Sequence, residues 1–261
     1  MSPAMSPATS RTARPGARRL AVAALLVAAL SACGPATGER TLTVFAAASL
    51  TEVVTSLERR FERTHDVDVR VNLGGSSRLA RQITEGAEAD VFASADERAV
   101  GELAREGLLD GPVTPFATNT LTIAVPRGNP ARVTGLADLA DPDRTVVVCA
   151  PTVPCGAAAD RVERRAGVTL RPDSEELDVR AVLTKVELGE ADAGLVYVTD
   201  VAASDRVERV PLADDVNVVN TYPVAVLADP AAPELAREFR ALLLSGDGRR
   251  LLSEAGFGRP G

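Results

Sequence analysis

Residues 41–63, TLTVFAAASLTEVVTSLERRFER, carry the reading of the fold. The run from Thr41 to Ala48 is apolar and β-branched throughout and reads as a buried strand, since a strand covered on both faces need not alternate. From Leu50 to Arg63 the apolar residues Leu50, Val53, Val54, Leu57 and Phe61 recur at helical spacing. Ser49 and Glu52 then form a Ser-x-x-Glu capping box, which places Ser49 at a strand-to-helix turn.

The same grammar repeats outward from this stretch. Residues 67–83, VDVRVNLGGSSRLARQI, give an alternating strand to Leu73, a Gly74-Gly75 turn and a helix opening at Ser76. Asp90 to Ser94 predicts a strand, Glu97 to Glu106 a helix, Leu121 to Pro126 a strand, Leu136 to Leu139 a helical segment and Thr145 to Cys149 a strand. A helix follows Pro154 and another spans Val179 to Leu188; then come a strand at Ala193–Val198, a strand at Tyr222–Leu227 and a helix at Ala232–Ser245. Alternating strands and helices predict an α/β fold of mostly parallel sheet with helices on both faces, where ligands bind at the carboxyl ends of strands.

The first forty residues differ in kind. Arg11, Arg14, Arg18 and Arg19 precede an uncharged apolar run from Leu20 to Leu30, the pattern of a signal peptide over residues 1–32 and too short to span a bilayer. Leu30-Ser31-Ala32-Cys33 resembles a bacterial lipoprotein box, with Cys33 as lipid acceptor and new N-terminus, and residues 33–40 as a tether; the Arg18-Arg19 pair leaves Sec and twin-arginine export both open. Loss of four arginines and no acids takes the net charge from −7 to −7 − 4 = −11. So acidic a chain argues against a nucleic-acid partner, and any anion it binds must be held by local dipoles.

Little in the sequence suggests catalysis or a metal cation. Ser49 lacks the Gly-x-Ser-x-Gly surroundings of a nucleophile elbow, and the single histidine, His65, falls in a polar helix-to-strand turn. Cys149 and Cys155 are two thiols without a nearby histidine, a weak zinc set but a plausible disulfide in an exported protein. What stands out is a series of helix starts bearing serine or glycine. Their first N–H groups lack intrahelical partners and carry the positive end of the dipole, so several aimed at one point make an anion site. The plainer reading of Ser49 and Ser76 is that each hydroxyl caps its own helix.

Phe45-Ala46-Ala47-Ala48-Ser49-Leu50-Thr51, Gly75 to Ile83, Ala89 to Asp96, Val153-Pro154-Cys155-Gly156, Glu176 to Arg180, Gly194-Leu195-Val196-Tyr197 and Tyr222 to Val226 resemble, in order and spacing, the periplasmic molybdate-binding proteins of ABC importers. The resemblance implies a two-lobed type II binding-protein fold, with residues 41–118 plus 222–261 as one lobe and 119–221 as the other. It implies no cofactor and an anion held by uncharged donors: Ser49 and Ser76 through hydroxyl and backbone N–H, Cys155 and Val179 through backbone N–H, and Tyr197 through its phenol. Cys155 stands where the family usually has alanine, and Gly74-Gly75 where relatives are richer in serine.

A site made only of donors suits a fully deprotonated oxyanion such as molybdate, tungstate or sulfate, whereas phosphate near neutral pH keeps a proton that needs an acceptor. Asp178 is expected to cap its helix and pair with Arg180. The expectation is therefore a monomeric lipoprotein on the outer face of the cell membrane that closes on molybdate or tungstate and hands it to a membrane permease. A sulfate-binding protein, an anion-sensing lipoprotein and a secreted serine hydrolase are the alternatives.

Overall fold

The computed structural model describes residues 40–261, so the signal peptide, Cys33 and nearly all of the expected tether lie outside the described residues. Among the described residues are nine strands: β1 Thr41–Ala47, β2 Asp68–Gly74, β3 Val91–Ala93, β4 Leu109–Pro126, β5 Val146–Cys149, β6 Ser174–Glu176, β7 Ala193–Tyr197, β8 Val207–Val210 and β9 Val219–Leu227. Their spatial order is β2-β1-β3-β9-β4-β7-β5-β6, with β8 also paired to β4. The helices are α1 Thr51–His65, α2 Ser76–Thr84, α3 Glu97–Arg105, α4 Pro154–Ala166, α5 Val179–Glu187, α6 Val198–Ala202, α7 Pro233–Leu244 and α8 Gly246–Glu254.

Strand β4 organises the molecule because it changes partner midway. From Leu109 to Thr120 it pairs antiparallel with β9, and from Leu121 to Ala124 it pairs antiparallel with β7. The chain passes through this handover once in β4 and returns into β9, so the sheet has two halves joined by two strands. In the first half β2, β1 and β3 are parallel, and in the second β6, β5 and β7 are parallel, as strand-helix-strand units require.

Each half has its own core. In the first, Leu42, Val44, Val53, Leu57 and Phe61 pack with Tyr222, Val224 and Phe239 on one face of the sheet, while Phe45, Leu79, Phe92 and Leu103 fill the other. In the second, Val147, Ala158, Val182, Leu195 and Val196 gather around β5 and β7. Ala48 is the exception in position: it follows β1 of the first half yet is buried in the second half's cluster, so the two halves touch there.

Local chemistry sets the helix starts. Pro154 occupies the first turn of α4, where the N–H it lacks would have had no intrahelical partner. Asp178 and Asp96 accept hydrogen bonds from Ala181 and Ala99 and so cap α5 and α3. No helix among the described residues is long and apolar enough to cross a membrane.

Candidate functional site

Five helical starts or strand ends converge where the halves meet. Ser49 lies in a 3-10 turn, Ala48–Leu50, between β1 and α1; Ser76 and Val179 are the first residues of α2 and α5; Cys155 is the second of α4; Tyr197 ends β7. All five residues are buried and line one small cavity, together with Ala47, Gly74, Gly75, Ala95, Pro154 and Asp178. Its volume of about 10 Å³ is near the lower bound for one water molecule, so a tetraoxyanion enters only with movement of the walls. A larger hollow of about 210 Å³ beside Phe116, Leu243 and Phe257 holds none of these residues.

The hydroxyls do not cap their own helices. Ser76 Oγ accepts a hydrogen bond from the Ala95 N–H at 3.0 Å, and Ser49 Oγ lies 2.9 Å from the Tyr222 hydroxyl. The capping box read from Ser49 and Glu52 is therefore absent: Glu52 instead pairs with Arg180. Likewise Asp178 caps α5, but Arg180 pairs with Glu52 and Asp200 and not with Asp178. In both cases a partner distant in sequence outcompetes the local one.

A buried amide network engages both phenols. Arg161 of α4 donates to Asn220 Oδ1 at 2.5 Å, which turns the amide so that its Nδ2 donates to Tyr197 Oη at 2.8 Å. The phenol oxygen is thus an acceptor on that side, and its own O–H is left to donate. Asn119 Nδ2 donates to Thr199 at 2.8 Å and to Tyr222 Oη at 3.4 Å, and Tyr222 and Ser49 share a hydrogen bond in which either hydroxyl can donate. Ser76 accepts from Ala95 and keeps its own proton to donate. Burial raises the pKa of both phenols above the ordinary tyrosine value, which keeps them protonated and donating at any physiological pH.

The backbone adds to this donor set. The N–H groups of Ser49, Ser76, Cys155 and Val179 all fall within the first two positions of a helical turn, where no carbonyl lies one turn back to accept them. Asp178, the carboxylate in the cavity wall, is already engaged by the Ala181 N–H at 3.0 Å. Cys149 and Cys155 are joined by a disulfide with their Cα atoms 5.7 Å apart, which ties the end of β5 to the start of α4. Gly156 beside it is obligatory: a Cβ there would lie 1.9 Å from the Ala150 carbonyl oxygen.

Sequence reading alone did not find Asn119, Asn220, Arg161, Tyr222 or Asp200 as site-supporting residues. Asn119 and Asn220 pair across β4 and β9 at the handover, and their position beside the expected crossings was the available signal. His65, expected in the turn after the helix, is instead the last residue of α1; it stacks on Phe61 at 3.8 Å and its Nε2 is 3.1 Å from Glu238.

Helix starts gathered between two half-sheets that share two crossing strands give the fold of a type II periplasmic binding protein. The chain belongs to the bacterial extracellular solute-binding protein family, whose model matches residues 42–258. It is 46% identical over 251 residues to the molybdate-binding protein ModA of Mycobacterium tuberculosis H37Rv, an alignment covering 92% of this chain and 96% of that protein. Its fold is similar to the periplasmic molybdate-binding protein of Azotobacter vinelandii, with TM-score 0.73 and 21% identity over 84% of this chain and 100% of that one. It is also similar to the sulfate-binding protein SubI of Mycobacterium tuberculosis H37Rv, with TM-score 0.72 and 19% identity over 84% and 86%. At these identities the two structural likenesses speak for the fold alone.

Proposed function

We propose that this chain captures molybdate, and tungstate with it, outside the cytoplasm and delivers the anion to the permease of an ABC importer. The observation that carries the reading is the one-sidedness of the cavity. Ser76 and Tyr197 accept from protein donors with their oxygens and so keep their own protons to give, Ser49 shares a hydrogen bond with Tyr222, and four helix-start backbone N–H groups border the same cavity. Such a cavity stabilises a fully deprotonated tetrahedral anion by hydrogen bonds to charge, each worth about 1.5–3 kcal/mol.

The ligand set is Ser49, Ser76, Cys155, Val179 and Tyr197. Closure brings the lobe of residues 41–118 plus 222–261 onto that of 119–221, with β4 and β9 as the hinge and the anion as the bridge. The protein acts as a monomer held to the membrane through a lipid on Cys33. It is not a hydrolase: the partner of the Ser49 hydroxyl is a phenol that burial keeps protonated, and a protonated phenol is no general base.

The test is thermal unfolding and calorimetric titration of residues 34–261, stripped of anions, with molybdate, tungstate, sulfate and phosphate. Ligand at a hundred times Kd stabilises the fold by about 2.7 kcal/mol. Shifts with molybdate and tungstate but not with phosphate are expected. A sulfate response as large as the molybdate response would change the assigned ligand, and no response to any of the four in a folded sample would overturn the site.

A further inference from the structure

We propose that Arg180 is a positioning residue whose guanidinium couples the meeting of the two halves to the placement of the Val179 and Tyr197 donors. The inference rests on the oxyanion reading above and assigns a role to a residue that does not itself line the cavity.

Arg180 is the second residue of α5, directly after Val179. Its Nη2 is bonded to Glu52, in the first turn of α1 and three residues beyond Ser49, and so reaches from the second half to the first. Its Nε lies 3.3 Å from Asp200 Oδ1, and the other oxygen of Asp200 accepts the Tyr197 N–H at 2.9 Å. One planar cation therefore touches the helix after Ser49, the helix that begins at Val179 and the carboxylate that holds the Tyr197 main chain. A guanidinium can serve two carboxylates from its fixed fork, which an ammonium cannot do at the same geometry.

Burial makes this arrangement asymmetric. Asp200 is fully buried and Arg180 is a quarter exposed, whereas Glu52 is about half exposed. Asp200 and Arg180 lie in the same half, so their 3.3 Å contact does not depend on closure, and the Arg180 charge opposes the rise to about 7 that desolvation imposes on the Asp200 carboxyl. Glu52 is the partner that arrives with closure and leaves with opening. With two carboxylates against one cation the cluster is not positive, so attraction of the anion at a distance is not its role; it sets geometry and holds the halves together.

The experiment is a double-mutant cycle on residues 34–261 with Glu52→Gln, Arg180→Lys and both together. Molybdate affinity is measured by calorimetry and the rate constants by stopped-flow tyrosine emission. The chain has two tyrosines and no tryptophan, and both tyrosines lie at the site, so the signal is local. Glu52→Gln is expected to speed dissociation about two- to fivefold, the range for a partly exposed ion pair, with association changed less than twofold and the ligand-free melting temperature unchanged. In the Arg180→Lys background the same change should have less than half that effect on the logarithm of the rate. An unchanged dissociation rate in Glu52→Gln, or equal effects in the two backgrounds, overturns the inference. Failure of the wild type to bind any of the four anions overturns the oxyanion reading, and the inference with it.

Discussion

Gly75 offers a way to separate closure from folding. It is the N-cap of α2, with φ −64° and ψ 127°, a conformation that alanine adopts without strain. A Cβ built there would lie 2.2 Å from the Leu177 carbonyl oxygen and 3.3 Å from a Val153 methyl, and both contacts belong to the second half. Because the closest atom is backbone, it cannot swing away as a side-chain tip would. Gly75→Ala thus overpacks the closed form by about 1–3 kcal/mol while leaving the first half intact. The same substitution stiffens the unfolded chain, which stabilises the ligand-free protein by about 0.4–1 kcal/mol. The two effects have opposite signs in two assays: calorimetry should show molybdate Kd raised about five- to 150-fold, while the ligand-free melting temperature holds or rises slightly. An unchanged Kd, or a ligand-free melting temperature that falls along with affinity, would refute the idea that Gly75 meets Leu177 only on closure.

Other substitutions probe the site separately. Tyr197→Phe removes a buried donor and leaves Asn220 Nδ2 with only its 3.3 Å contact to Ala95, so Kd should rise about 10- to 150-fold by titration with little change in fold by circular dichroism. Reduction of the Cys149–Cys155 bridge, six residues apart, should remove about 2 kcal/mol and lower the melting temperature by about 4–8 °C, seen by scanning with and without reductant. For Asp200, whose carboxyl is raised from 3.8 to about 7, the folded state holds a proton that the unfolded state has lost between those values. Its contribution is therefore full below about pH 4 and is lost as pH rises through 7, at up to about 1.4 kcal/mol per pH unit. Asp200→Asn should flatten the decline in denaturant midpoint between about pH 4 and 7, and a parallel decline in the variant would count against the assignment.

The strand-helix alternation was legible because each element carries its own apolar pattern, and the helix starts at Ser76, Cys155 and Val179 fall where caps and Pro154 announced them. The first part of β4 was not. Gly111, Pro112 and Pro115 interrupt its pattern, and the structure absorbs them as register shifts between Asp110 and Thr114 and between Pro115 and Ala117. Helix α8 was missed because Ser245, extended at ψ 174°, both ends α7 and caps the next helix. Glu52 satisfies a local capping rule, yet Arg180, 128 residues away, claims it. The amide relay from Arg161 through Asn220 to Tyr197 joins residues that only the crossing strands bring together, and no local window contains it.

The place of β9 in the sheet has a consequence for how the chain comes to be folded. It is the last strand in sequence but sits between β3 and β4, at the middle of the first half. Until it arrives, β3 and the Leu109–Thr120 stretch of β4 keep open edges. The second half, whose sheet is completed by residues 121–210 and whose core closes with Leu212 and Val218, needs no strand from beyond β8. Assembly therefore runs against the order of synthesis: the inserted half can consolidate first, and the half that starts the chain waits for its own end. A stalled or truncated chain lacking β9 exposes two unpaired strand edges at once, the form in which such a protein is most prone to aggregate and to be degraded.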